Sequence, residues 1–237
     1  MALTYILNQG RLFFCLLAMA VPFIAKAQSQ NITVVKKTKI YSQQVMNDPA
    51  HQMLELKQLI PGILYDLRYS VNNNFTGIKL YPSGEFTFMR LQPAKALQKV
   101  QQELNKKGLG LKIFDAYRPY SITKQMWDLI KDERYVANPA NGSGHNRGLS
   151  IDLTLIDLKT GKELDLGTSF DNFTDSAHHK FNKLPAAVLM NRKLLKKSME
   201  KYGFSSLSSE WWHYSWPNDR NYQVLDIDFN SLALYSR

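Results

Sequence analysis

Gly142-Ser143-Gly144-His145-Asn146-Arg147-Gly148-Leu149-Ser150-Ile151-Asp152-Leu153-Thr154-Leu155 is the stretch on which the reading of this chain turns. Its second half alternates strictly. Ile151, Leu153 and Leu155 interleave with Ser150, Asp152 and Thr154, the period of a strand with one face in a core and the other toward a polar space. Asp152 therefore belongs to a rigid element and faces the polar side. Three glycines surround His145 just before that strand, and a flexible turn there lets the imidazole fold back beside the carboxylate. A nitrogen and an oxygen can then converge on one cation. The segment alone is equally consistent with an ordinary His–Asp hydrogen bond.

Downstream lies Glu210-Trp211-Trp212-His213-Tyr214, with a second histidine and a carboxylate three residues before it. A regular strand would send Glu210 and His213 to opposite faces, so both reach one site only through a bulge or local turn. Trp211 and Trp212 read as core or pocket wall. Upstream, Asp115-Ala116-Tyr117-Arg118-Pro119 stands between a predicted strand and a predicted helix, where loops carry function. Arg118 can present two donors to an oxygen that gains charge in a reaction, or can simply pair with Asp115; the two readings rank level.

Taken together the clusters mean more than each alone. Two histidines and one aspartate leave the fourth tetrahedral position free, which is the pattern of catalytic rather than structural zinc. Glu210 is then a spare carboxylate able to take a proton from an activated water and pass it to a leaving amine. The same nitrogen and oxygen donors also suit cobalt or nickel.

Around these clusters the chain reads as one α+β domain, a mostly antiparallel sheet flanked by helices with the metal in a cleft on the sheet. The spacing of apolar residues predicts helices over 93–107, 121–132 and 186–202, with Pro93 opening the first and Gly203 closing the last. Strands are expected at Ile63–Leu67, Leu109–Phe114 and Ile151–Leu155. Residues 28–50 are polar and basic without sustained periodicity, and read as a loosely attached leader or edge segment before a domain over 51–237.

The first 27 residues carry Arg11, the apolar run Leu12–Ala25 and Ala25-Lys26-Ala27, the order of a secretory signal peptide cleaved near Ala27. Export to the periplasm or medium is the expectation, with no transmembrane segment in the mature chain. Removing the segment leaves 210 residues, enough for one core, and takes with it the sole cysteine, Cys15. Any metal must then rest on His, Asp or Glu. Arg11 and Lys26 leave too, lowering the formal charge from +10 to +8. The positive charge is scattered, and no nucleic-acid-binding motif accompanies it.

These three clusters, in this order, resemble the D-alanyl-D-alanine dipeptidases, the VanX-like branch of the zinc peptidases related to D,D-carboxypeptidases and to the hedgehog domain. The resemblance runs from about Ile60 to Trp216. It includes Pro61-Gly62, Tyr65-Asp66-Leu67-Arg68-Tyr69, Asn74-Phe75-Thr76-Gly77, Asp165-Leu166-Gly167-Thr168-Ser169-Phe170-Asp171 and His178-His179. It implies one zinc on His145, Asp152 and His213, with Glu210 as base and Arg118 stabilising the tetrahedral intermediate. It further implies that Asp171 receives the ammonium of a small D-dipeptide and that Ser143 lines the pocket near it. A D,D-carboxypeptidase or wall endopeptidase on the same fold is the nearest rival, and a non-catalytic zinc-containing module the next. Resistance-conferring members meet a cytoplasmic precursor, so an export signal points instead to salvage of wall dipeptide.

Overall fold

The computed structural model describes residues 32–235, so the segment read as a signal peptide lies outside the described residues. The described chain opens with β1 (Val34–Val35), α1 (Thr38–Asn47), β2 (Met53–Glu55), α2 (Leu56–Leu59), β3 (Leu64–Tyr65) and β4 (Phe88–Arg90). There follow α3 (Leu91–Asn105), β5 (Leu109–Asp115), α4 (Tyr120–Ile130), the one-turn helix α5 (Gly144–Arg147) and β6 (Ser150–Asp157). The remainder is α6 (Ala186–Lys201), β7 (Ser205–Ser206), β8 (His213–Ser215), β9 (Val224–Leu225) and α7 (Phe229–Tyr235).

Five strands form the central sheet, in the order β3-β5-β6-β8-β7. Only β3 and β5 run parallel; the other neighbours are antiparallel, so the α+β expectation holds. The sheet forms because β6 alternates as its sequence requires: Ile151, Leu153 and Leu155 are buried and pack in the common core. Helices α3 and α6 cover that face with Leu97, Val100, Leu104, Leu195 and Met199. The Gln101 carboxamide oxygen accepts the Leu111 N–H at 2.9 Å and ties α3 to β5. All three helices expected from periodicity are present, each within two residues of its expected ends. Pro93 falls in the first turn of α3, where its missing N–H leaves no helical bond unmade.

Residues 32–50 depart from the expected leader. Strand β1 pairs in parallel with β9, through Val34 with Val224 and Val35 with Leu225. Helix α1 buries Tyr41, whose hydroxyl accepts the Met53 N–H at 2.8 Å and whose ring meets Tyr235 edge to face. Tyr41 is the one fully buried side chain of this helix, with Gln44 donating to Gln223 Oε1 at 2.7 Å, and a single buried position leaves no periodic trace in the sequence. Tyr41→Ala should cost about 3–5 kcal/mol of stability, the range for deleting a buried aromatic ring. Denaturant unfolding of the two proteins measures it, and a loss below about 1 kcal/mol would restore the leader reading.

Candidate active site

Three neighbouring strands deliver the chemistry in one row. On β6 and β8 the register sets Asp152 directly opposite His213, with Ser150 opposite Ser215. On the other flank, the β5–β6 ladder shifts between Ile113 and Asp115, so that Asp115 rather than Phe114 faces Asp152. This bulge turns the Asp115 carboxylate onto the polar face of the sheet while Phe114 stays in the core.

His145 comes from α5, the turn predicted from its glycines. Ser143 caps this turn reciprocally with Asn146: its Oγ accepts the Asn146 N–H at 3.2 Å, and Asn146 Oδ1 accepts the Ser143 N–H at 3.0 Å. The Asn146 amide nitrogen donates to the Arg118 carbonyl and to Thr123 Oγ1, binding α5 to the Arg118 loop and to α4. Two glycines are obligatory here. A Cβ on Gly144 would stand 2.0 Å from Ser150 Oγ, and Gly148 takes a left-handed conformation at φ 71° against Met53.

The result is a cluster of His145, Asp152 and His213 whose donor atoms all lie within 4.8 Å of one another. His145 Nε2 is 3.3 Å from His213 Nδ1 and 3.5 Å from Asp152 Oδ2; His213 Nδ1 is 2.9 Å from Asp152 Oδ1. Ligands about 2.0–2.1 Å from a tetrahedral zinc are separated by about 3.3 Å, so these edges suit that ion. The hydrogen bonding behind the ligands agrees. His145 Nδ1 lies 2.7 Å from the Ala116 carbonyl, which only accepts, so the proton sits on Nδ1 and Nε2 turns a lone pair inward. His213 Nε2 lies 3.0 Å from Ser215 Oγ, itself 2.7 Å from Ser150 Oγ, which leaves Nδ1 for the cation. Burial keeps the His145 imidazole neutral, its pKa pushed down to about 3, and neutral is the ligating form. For His213, burial pulls the same way, but the hydrogen bond and charge of Asp152 outweigh it and raise the pKa.

The remaining expected residues surround this centre. Arg118 is buried and gives both Nε and Nη2 to one oxygen of Asp115, at 3.0 and 2.7 Å; the second Asp115 oxygen accepts from Tyr81 at 2.6 Å. The pairing of Arg118 with Asp115 is thus observed, and it uses one edge of the guanidinium, leaving Nη1 uncommitted among the described residues. Burial pushes the Asp115 carboxyl up to about 6 against the pull of Arg118. A turn at residues 211–212 separates Glu210 from the strand that begins at His213, the local turn that their spacing demands, and Glu210 Oε2 lies 4.0 Å from His213 Nδ1. Burial raises its carboxyl to about 7. Asp171 adopts a left-handed φ of 57° and accepts the Tyr69 hydroxyl at 3.0 Å; burial and then Asp152 hold its pKa well above the usual range.

One cavity of about 270 Å³ is lined by all seven expected residues: Arg118, Ser143, His145, Asp152, Asp171, Glu210 and His213. Trp212 is a wall of it, while Trp211 is anchored in the core by Thr168. His178 and His179 stand outside the cluster. Sequence reasoning missed Tyr69, Tyr81, Ser150 and Ser215, which hold Asp171, Asp115 and His213 in place. Tyr69 and Tyr81 sit in no periodic pattern that separates them from core tyrosines. The two serines are legible only once the strand register is known.

The D-ala-D-ala dipeptidase family model matches residues 49–231. The chain belongs to this family. The D-alanyl-D-alanine dipeptidase of Escherichia coli (strain K12) is 34% identical over 179 residues, covering 76% of this chain and 92% of that protein. The enzyme of the same name from Enterococcus faecalis (strain ATCC 700802 / V583) is 33% identical over 183 residues, covering 68% and 89%. Among solved structures, the vancomycin resistance D,D-pentapeptidase VanY overlaps 57% of this chain and 75% of that chain at 15% identity, with a TM-score of 0.36, too loose a likeness to build on. A dipeptidase of this family with the donor set described takes up zinc. His145→Ala should abolish stoichiometric zinc, and Ser215→Ala should weaken it by about 10–100-fold through loss of His213 orientation. Chelator competition reads both. Full zinc in the first variant would dismiss the ligand set, and unchanged affinity in the second the role of Ser215.

Proposed function

We propose that this enzyme hydrolyses D-alanyl-D-alanine, or a closely related short D-dipeptide, to free amino acids, with one zinc held by His145, Asp152 and His213. The observation that carries this reading is the single small cavity that combines the His-Asp-His cluster, a carboxyl poised near neutrality and a second carboxyl at Asp171. Zinc supplies Lewis acidity, polarising a carbonyl and lowering the pKa of a water to about 7.

The protein residues account for the other steps. Glu210, with its pKa raised to about 7 by burial, accepts one proton from the attacking water. It returns that proton to the leaving amine, so the proton count closes within a turnover. Arg118 is held on edge by Asp115 and donates to the carbonyl oxygen as it becomes negative. Asp171 receives the substrate's ammonium. The cation it would bind also favours its ionised form, which burial and then Asp152 oppose. Ser143 has its Oγ lone pair on the Asn146 N–H, leaving the hydroxyl proton for a substrate oxygen.

A cavity of about 270 Å³ lies at the small end of ligand pockets, which run about 300–1,000 Å³, and favours a free dipeptide over a wall polymer. An N-blocked dipeptide would leave Asp171 desolvated and unpaired. Free and N-acetylated D-alanyl-D-alanine, assayed side by side, should differ by at least about 10²-fold in kcat/KM. Comparable rates on both would favour a D,D-carboxypeptidase. Glu210→Ala should keep zinc and lose at least about 10²-fold in kcat; substantial residual turnover would remove Glu210 as the base.

Export completes the proposal. Arg11, the run Leu12–Ala25 and Ala25-Lys26-Ala27 support processing near Ala27, and with it salvage of dipeptide released in wall turnover. Among the described residues no helix is long and apolar enough to cross a membrane. Intact-mass measurement of the protein from its native cell should find a chain beginning near Gln28. An uncleaved chain confined to the cytoplasm would reverse the assignment.

A further inference from the structure

A second cavity, of about 310 Å³, adjoins the first and shares with it Arg134, Tyr135, Phe173 and Glu210. Phe173 belongs to the wall they share. Its ring lies edge to face against Phe75, with centroids 5.5 Å apart, and is tilted against Tyr135 at 4.4 Å. Three separate loops therefore meet through three rings, with Phe173 in contact with both of the others. Phe75 continues the wall to Tyr69 at 5.9 Å, and the Tyr69 hydroxyl holds Asp171 at 3.0 Å. The partition thus stands at the carboxylate end of the first cavity, two residues along the chain from Asp171 itself.

The space behind the partition is polar where the wall is aromatic. Asn172, Asp175, His178 and Ser209 line it, and the almost fully exposed Asp175 carboxylate lies 3.9 Å from His178 Nε2. A peptide extended by one residue at its amino end would have to run through the position of the Phe173 ring. Beyond it, Asp175 could take over the ammonium that Asp171 holds in a dipeptide.

We propose that Phe173 sets substrate length: its ring, clamped by Phe75 and Tyr135, divides one hollow into two cavities and so restricts hydrolysis to dipeptides. This rests on the dipeptidase reading of the site. Removing the ring joins the cavities and admits a tripeptide whose amino end reaches the second one. A filled wall rejects the longer chain by steric overlap, whereas an opened wall only forgoes apolar contact with it.

The test uses the zinc-loaded enzyme with D-Ala-D-Ala and D-Ala-D-Ala-D-Ala, and reads the ratio of the two kcat/KM values, which cancels differences in active fraction. Wild type should cut the dipeptide and scarcely touch the tripeptide. Phe173→Ala should raise the tripeptide-to-dipeptide ratio by at least about tenfold, and Phe173→Val by a smaller factor in the same direction. Phe173→Val keeps the test in force if the alanine variant does not fold. An unchanged ratio in a folded, zinc-replete variant overturns the partition while leaving the dipeptidase intact. Failure of the wild type to cut the dipeptide would instead strike at the underlying function.

Discussion

The pairing of Asp152 with His213 across β6 and β8 is the constraint from which the rest of the site follows. A strand slip of one residue would send one of the two side chains to the opposite face, because successive positions alternate. The register is secured from the apolar side. Ile151 faces Tyr214, and both are buried in the core, so a slip would expose them and drive a carboxylate inward. Hydrophobic burial on one face of the sheet therefore sets the positions of ligand atoms on the other. The bulge at Phe114 is the exception that extends the row: it breaks the alternation of β5 once, placing Asp115 beside Asp152 without surrendering Phe114 from the core.

Concentrating carboxyls in this way has an electrostatic consequence. Asp115, Asp152, Asp171 and Glu210 gather round one buried guanidinium, that of Arg118. Removing an ion from water costs several kcal/mol, and neighbouring like charges add to it. The carboxyls respond by holding protons: Asp115 rises to about 6, Glu210 to about 7, and Asp171 well above its usual value, with burial the leading cause in each. Asp152 alone goes down, because His145 and His213 overcome its burial. The pattern is that of a site short of positive charge. A divalent cation at the His145, Asp152 and His213 cluster would supply it.

Much of this was legible in the chain. Period two placed Asp152 on the polar face, the glycines around His145 announced a turn, and the spacing of Glu210 and His213 demanded the turn found at residues 211–212. What escaped has physical reasons. Strands of two residues, such as β1 and β9, are too short to show a period, and α1 fully buries one side chain, Tyr41. A bulge at Phe114 has no glycine or proline to mark it. The hydroxyls of Ser150, Ser215, Tyr69 and Tyr81 acquire their roles only after the strands are aligned, since their partners are far away in sequence: Tyr69 meets Asp171, and Tyr81 meets Asp115.

The site divides its labour by element type. His213 and Asp152 of the candidate metal cluster, and the Arg118 partner Asp115, stand on adjacent strands, while His145 rides on a turn locked by Asn146 to two other segments. Catalytic geometry has to be held to fractions of an ångström, and strands with a buried reverse face provide that. Asp171, in a left-handed conformation, and the aromatic rings beside it come instead from loops. Loops tolerate change at a smaller cost to stability than the sheet does. On this architecture, substrate range can drift through the aromatic rings of the loops while the metal centre, anchored by its register, stays where it is.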